Sequence, residues 1–499
     1  MRIIVGSYKL KIANDFLSDL AELLPALEFM HEEFVPAADL RDLSADSGLG
    51  REQLTDKMLT ALLERRLSAA LYKSEMLPEE VPDELDCFSL PERYCGSAAE
   101  TGVAGLTLLF RRGDAVMTII RNLLLPPVIF AGAGIGGVDN VTLGVVKALE
   151  GCDVCVYDAL IPDGIIDFLP ESAEKIFVGK RRGRHYMKQD EINRLLVELG
   201  KSGKKVVRLK GGDPSVFGRL AEEVDFLQRE ALSFRVLPGI TSLNVAAAGS
   251  GLLPSRRGVN RGFTISTPRR AGSHDFVPLS LKERQESFNV YYMAANLVPE
   301  IVATMRADGF PAEWPVSLIF DAGGWTETVV CGTLADIVLK ISLSELKNRP
   351  ALVLTGKSAA ESYLFQTNAA LEKRRTICCG SERRSYVQVK TAIEDFGGKS
   401  MFVAADALAS EELDIYALEY DAIIFLDGKS RQDFYARFGS QALTGKVVIG
   451  VAVKSSQSIE FISVPDFASA GLRLAAYFSN CKIEMMCADS IKMENCNGR

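Results

Sequence analysis

Residues 128–140 read VIFAGAGIGGVDN, an apolar run that ends in glycines and then turns polar. Gly132, Gly134 and Gly137 fit the spacing G-x-G-x-x-G between a predicted strand and a predicted helix, and Asp158 closes the next predicted strand, DVCVYD. In such a setting glycines let the backbone approach a pyrophosphate, and an acid holds a ribose. The pattern alone leaves two readings open: a nicotinamide or flavin site, or a tight turn that uses glycine only for packing.

Outward from this turn, strands and helices alternate from Pro127 to about residue 240. The helices are predicted in DNVTLGVVKALEG, QDEINRLLVELGKSG and GRLAEEVDFLQREA, and the strands in VIFAGAG, DVCVYD and KKVVRLKGGD. That alternation predicts an open, mostly parallel sheet. Two more glycine turns end strands: Gly211-Gly212-Asp213-Pro214, read as a surface turn, and Pro238-Gly239-Ile240-Thr241-Ser242. Ligands of open α/β sheets lie at the carboxyl ends of the strands, so the three turns can converge there. An oxidoreductase does not call for the later two turns; a ligand wrapped by several backbone loops does.

Composition sets the limits. A chain of 499 residues exceeds one hydrophobic core and predicts about three to five domains. Net charge is -8, which argues against a general nucleic-acid binder while permitting a local basic pocket. No signal peptide is legible at the start, and no apolar run reaches the ~20 residues of a membrane span, so a cytoplasmic protein is expected. The ten cysteines do not suggest a disulfide framework. Cys152 and Cys155 form one C-x-x-C in a predicted strand, where residues three apart face opposite sides. With only His31, His185 and His274, no metal centre is expected.

The first 125 residues mix short strand-like runs with one helix-like run, REQLTDKMLTALLERRL, whose Leu54, Met58, Leu59, Leu62 and Leu63 fall at helical spacing. Beyond residue 243, FNVYYMAA, WPVSLIFDA and RPALVLTGK are strand candidates. A charged joint, LEKRRT, precedes a smaller α/β unit, and the tail from Cys481 has no clear period.

The motifs GAG-x-G, YD-x-L, VGKR-x-G-x-H, Q-x-EIN-x-LL, VVRLKGGDP-x-x-FGR-x-x-EE, PGIT and Y-x-M follow one another in this order. In this the segment from Pro127 to Gly356 resembles the uroporphyrinogen III C-methyltransferases. The resemblance implies an α/β chain with a two-lobed tetrapyrrole methyltransferase fold in the centre and smaller α/β domains on both sides. It also implies S-adenosylmethionine as cofactor, a tetrapyrrole substrate, a homodimer, and methylation of two pyrrole carbons to give precorrin-2 for sirohaem and cobalamin-type products. A catalytically weak or inactive scaffold that binds cofactor or tetrapyrrole is the alternative.

By the same resemblance, Asp158 matches the family's proton acceptor and Lys180 its proton donor. The plainer readings are a strand-end cap for Asp158 and a solvated loop charge for Lys180. Cofactor contacts fall on Ile135, Gly211, Gly212, Asp213, Val216, Thr241, Ser242, Met293 and Gly332; Met293 also reads as a core residue of which only the main chain matters. The substrate's carboxylates call for cations, for which Arg181, Arg182, Arg184, Arg256 and Arg257 are the candidates, because arginine pairs carboxylates bidentately.

The resemblance has departures: the cofactor contacts are mostly retained, while several positions that would face the substrate have changed. The family's GAGPGD reads GAGIGG here, with Ile135 for proline and Gly137 for the acid. Ala159 stands for an arginine, Pro254-Ser255-Arg256-Arg257 for L-T-H-R, Ser266-Thr267-Pro268 for T-G-H, and FGRLAEE for FGRGGEE.

The flanks resemble other tetrapyrrole enzymes. The opening IIVGSYKLKIA and the segment from Gly48 to Leu85 are similar to the first domain of hydroxymethylbilane synthase, but Met76, Glu75 and Tyr8 stand where that family has an aspartate, a lysine and an arginine. YDAIIFLDGKSRQDFYARF and VVIGVAVKSS resemble one lobe of uroporphyrinogen III synthase, with Leu426-Asp427 in place of a threonine-serine pair and Val453 in place of a threonine. The resulting division is 1–125, the degenerate first domain; 126–243 and 244–360, the two methyltransferase lobes; 372–480, the single synthase-like lobe; and 481–499, a tail.

Overall fold

The computed structural model describes residues 1–8, 10, 12–34, 48–78, 80–94, 105–162, 164–179, 187–260, 262–268, 277–341, 349–360, 371, 374–409, 413–451, 461–464, 470 and 473–478. The chain is α/β throughout and divides into two compact units, Met1–Ser242 and Leu243–Arg499. No described helix is long and apolar enough to cross a membrane.

In the first unit, strands β1 (Arg2–Ser7), β2 (Glu28–Glu33), β3 (Ala69–Lys73), β4 (Leu85–Ser89) and β5 (Leu106–Arg111) form a sheet of order β2-β1-β3-β5-β4. Only β5 runs antiparallel to its neighbours. Three described helices accompany it, Ile12–Leu23, Gly48–Leu63 and Ala115–Leu124, rather than the single one the sequence suggested. The first buries Ala13, Phe16, Leu17 and Leu20, a stripe at helical period. The last buries Met117, Ile120, Arg121 and Leu124, again at helical period, and Asp114 caps it, accepting from the amides of Val116 and Met117.

The second sheet contains β6 (Val128–Gly132), β7 (Val154–Tyr157), β8 (Glu174–Phe177), β9 (Val206–Lys210) and β10 (Phe234–Leu237). It is all parallel, in the order β10-β6-β9-β7-β8. The glycine turns therefore end three adjacent strands, β10, β6 and β9. One face packs Val128, Phe130, Val154 and Val206 into a core that continues through the helices Gln189–Gly200 and Leu220–Arg229 into the first sheet. The other face packs Ala131, Cys155, Val207 and Leu209 against the helix Leu143–Glu150.

Cys152 departs from expectation. The strand begins only at Val154, so alternation does not govern Cys152, and both cysteines sit in the same core. Burial pushes the thiols up, to about 11 for Cys152 and about 12 for Cys155, which leaves them unreactive at neutral pH. No metal-binding cluster occurs among the described residues.

Charges reinforce the shared core. The Arg121 guanidinium, 1% exposed, meets Asp86 at 2.7 Å and donates to the carbonyls of Glu230 and Ala231. Lys201 reaches both Asp86 and Glu230 at 2.7 Å. The first sheet is thus tied to the turns at the amino side of β9 and β10.

In the second unit, β11 (Phe263–Ser266), β12 (Phe288–Tyr291), β13 (Pro315–Phe320), β14 (Thr328–Thr333) and β15 (Ala351–Thr355) form a mixed sheet of order β11-β12-β15-β13-β14. The sequence signalled the three central strands and missed β11 and β14. Both are edges whose partly exposed residues weaken the apolar signal. The last sheet, β16 (Arg375–Gly380), β17 (Lys399–Ala404), β18 (Ala422–Phe425), β19 (Val447–Val451) and β20 (Phe461–Val464), is parallel in the order β17-β16-β18-β19-β20.

Candidate functional site

Glycine decides how closely the three turns approach. A Cβ at Gly132 would lie 2.5 Å from the Gly239 nitrogen, and one at Gly239 would lie 2.1 Å from the Gly212 carbonyl oxygen. The Gly212 amide donates to the Gly134 carbonyl at 2.8 Å, and the Gly134 amide returns the bond at 3.1 Å. Gly134 and Gly212 hold φ of +64° and +69°, conformations that favour glycine. Gly212 is buried, not a surface position, yet a Cβ there would meet nothing within 4 Å. A side chain there would therefore enter open space.

Asp213 ties the second turn to the third. One carboxylate oxygen accepts from the Gly239 amide at 3.0 Å, and the other accepts from the Ser215 amide at 2.8 Å and its hydroxyl at 2.5 Å. Ile135 is half-buried, its carbonyl held by the Asn140 side chain at 2.9 Å. Val216, Thr241 and Ser242 are half-buried, with Gly211 against Leu160. Ser242 opens the helix Ser242–Ser250.

Asp158 follows β7, its side chain 27% exposed. It accepts from the Leu160 amide at 3.3 Å, as a strand-end cap would, and it also lies 3.6 Å from the Arg208 guanidinium. Arg208 and Lys210 are both buried and share Glu223, which is 0% exposed, at 3.2 and 2.6 Å. Burial, reinforced by neighbouring Arg208, pulls the Lys210 ammonium below its ordinary value against the opposing pull of Glu223. In the sequence Arg208, Lys210 and Glu223 stand only as letters of the family motif. Their signal was there: two cations two residues apart in an otherwise apolar strand cannot be buried without a counter-charge.

Lys180, Arg181, Arg182 and Arg184 lie outside the described residues. In the second unit Met293 is 61% exposed with φ +56°, so it is not a core residue; strain of this kind gathers at functional positions. Gly332 lies on β14, where a Cβ would come within 2.7 Å of the Asp336 carboxylate. That carboxylate accepts from the Thr333 amide at 2.7 Å. Arg256 is half-buried and begins a turn closed by the Asn260 amide on the Arg256 carbonyl at 3.2 Å, whereas Arg257 is exposed.

A wider groove of about 1050 Å³ on the first unit lies away from this chemistry. It is lined by Asp153, Glu174, Lys204 and Lys205, at the amino ends of β7, β8 and β9, together with Lys73 and Arg93. Ligands of open parallel sheets gather at the opposite, carboxyl ends, where the glycine turns are.

Residues 127–338 match the family of tetrapyrrole (corrin/porphyrin) methylases. The uroporphyrinogen-III C-methyltransferase of Methanocaldococcus jannaschii is 37% identical over 234 residues, 46% of this chain and 95% of that protein. A siroheme synthase of Gluconobacter oxydans is 35% identical over 228 residues, 45% of this chain and 48% of the relative. The chain thus spans about half the length of this siroheme synthase and of the one from Gluconacetobacter diazotrophicus. Among solved structures, the uroporphyrin-III C-methyl transferase from Thermus thermophilus complexed with S-adenyl homocysteine is 30% identical, covering 47% of this chain and 98% of that one, with a TM-score of 0.40. Because its central part matches 95% of the Methanocaldococcus jannaschii methyltransferase at 37% identity, the chain belongs to the tetrapyrrole methylase family.

Proposed function

We propose that the chain methylates two pyrrole carbons of uroporphyrinogen III from S-adenosylmethionine, giving precorrin-2. The observation that carries this reading is the Gly132–Gly212–Gly239 cluster, where three backbones touch and Gly212 alone opens onto free space. Backbone walls suit a cofactor whose sulfonium is approached by carbonyl oxygens rather than by bulky side chains. Bound S-adenosylmethionine supplies an electrophilic methyl, which an electron-rich pyrrole carbon takes in line as the S–CH3 electron pair stays on sulfur.

The chain's residues then have separate tasks. Gly211, Gly212, Asp213, Val216, Ile135, Thr241 and Ser242 are the cofactor contacts of the first unit; for the second unit, taken by itself, the family resemblance assigns Met293 and Gly332 to the cofactor. Asp158 takes the proton that the methylated ring must lose, and Lys180 is the proton donor. Arg256 and Arg257, with Arg181, Arg182 and Arg184, pair with the substrate's carboxylates. Positioning and exclusion of water supply much of the acceleration.

Residues 1–125 are a degenerate hydroxymethylbilane synthase-like domain and 372–480 a single uroporphyrinogen III synthase-like lobe, neither with its own turnover. The lobes 126–243 and 244–360 carry the chemistry, in a homodimer of the cytoplasm. A second reading, a scaffold that binds cofactor or tetrapyrrole without turnover, is favoured by Ile135, which replaces a cofactor-contacting proline of the family, and by Ala159 and Pro268, which replace other family residues.

Calorimetric titration of the full chain with S-adenosylhomocysteine and, separately, with NADH tests the cofactor class. Binding of S-adenosylhomocysteine alone is expected. Tight binding of NADH alone would overturn the proposal.

A further inference from the structure

We propose that Glu223 is a positioning residue for methyl transfer, which holds Arg208 and Lys210 beneath the glycine turns and, through Arg208, fixes Asp158. The inference rests on the methyltransferase reading and deepens it.

Arg208 and Lys210 stand two apart on β9, so both side chains project to one face of the sheet. The helices on that face, Gln189–Gly200 and Leu220–Arg229, bring Gln189 and Glu223 to meet them. One Glu223 oxygen accepts from Lys210 Nζ at 2.6 Å, Gln189 Nε2 at 3.2 Å and Arg208 Nη2 at 3.4 Å; the other accepts from Arg208 Nε at 3.2 Å. Gln189 is itself held by Asn193 at 3.0 Å. Two buried cations side by side repel each other and lose their hydration, and a carboxylate between them offsets both costs.

The guanidinium is fixed on every side. Glu223 receives two of its bonds, and Nη1 donates to the carbonyl of Leu209 at 3.1 Å and faces that of Val156 at 3.5 Å. Its remaining carboxylate neighbour is Asp158 at 3.6 Å, the one acid of the cluster with appreciable exposure. Glu223 has no exposure and cannot reach a substrate, so its influence passes through Arg208. With Glu223 neutral, Arg208 keeps Asp158 as its nearest carboxylate and swings toward it, taking Asp158 from its working orientation.

Glu223→Gln in the full chain removes the charge and keeps the shape. The expected result is a fall in kcat for methylation of uroporphyrinogen III on the order of 10²-fold, the scale of a misplaced reacting group. The Kd for S-adenosylhomocysteine should stay within about threefold, as for a residue that acts in the transition state. Glu223→Asp should recover part of the rate. If Glu223→Gln does not fold, Glu223→Gln/Lys210→Met removes one buried cation as well and should fold while remaining slow. An unchanged kcat, or a rate loss that only tracks lost cofactor affinity with no recovery in Glu223→Asp, overturns the role of Glu223. An inactive wild type overturns the methyltransferase reading, and this inference with it. An active wild type matched by Glu223→Gln overturns this inference alone.

Discussion

The carboxylate of Asp213 accepts a hydrogen bond from the amide of Gly239 at 3.0 Å, joining two turns that are 26 residues apart in the chain. Together with the paired bonds between Gly134 and Gly212, it makes the proposed cofactor cradle one piece of backbone rather than three loops. Substitutions at its glycines should therefore divide by what a Cβ would meet.

Gly212→Ala places its Cβ in free space and adds only left-handed strain of about 1–2 kcal/mol. The variant should fold and lose S-adenosylhomocysteine binding. Gly239→Ala drives a Cβ to 2.1 Å from the Gly212 carbonyl oxygen and should lower the melting temperature sharply. Calorimetry and thermal denaturation on both variants check this; full affinity in a folded Gly212→Ala places the cofactor elsewhere.

Asp158→Ala should depress methyl transfer by ~10²–10⁴-fold, the usual contribution of a positioned acid or base. The fold should tolerate it, since Arg208 keeps Glu223 at 3.2 Å. Cofactor affinity should change little. If rate and affinity fall together, Asp158 holds ligand or structure instead of the proton.

The link between the first sheet and the second predicts an asymmetry. Asp86→Ala strands the buried Arg121 and should cost about 3–5 kcal/mol. Arg121→Met should cost less, because Asp86 keeps Lys201 at 2.7 Å. Urea denaturation of the two variants measures the order; equal losses would mean that the ion pair is incidental to the shared core.

In the last sheet's unit, Asp427 begins the helix Gly428–Phe438 and accepts from the amides of Ser430 at 2.7 Å and Ser381 at 2.6 Å. Burial pushes its carboxyl up, but these amide bonds outweigh burial and hold it below the ordinary value. A depressed carboxyl contributes stability that is present above its unfolded pKa of roughly 3.9 and is lost as pH falls through the folded value. Asp427→Ala should cost ~1 kcal/mol at neutral pH, as lost caps do. It should also flatten the acid limb of stability against pH; an unaltered limb would contradict the cap's charge dependence.

Much of the site was legible because its chemistry is written in local backbone needs. Gly132, Gly212 and Gly239 end apolar runs, and strand order then brings their turns together. The register β6–β9 sets Gly132 beside Lys210, which no local pattern specifies. The Glu223 cluster was missed because its partners come from a strand and two helices, and only tertiary packing gathers them. Cys152 was misjudged by one strand boundary. For Met293 only the plainer core reading fails: an apolar residue after an apolar strand looks like core, whereas it is exposed and holds a positive φ.

The most direct test is mass spectrometry of the products when the full chain is incubated with uroporphyrinogen III and methyl-labelled S-adenosylmethionine. The account predicts slow but real turnover, with labelled product that carries two added methyl groups and with S-adenosylhomocysteine formed alongside. Tight cofactor binding with no label on any uroporphyrinogen isomer would contradict it and leave a scaffold.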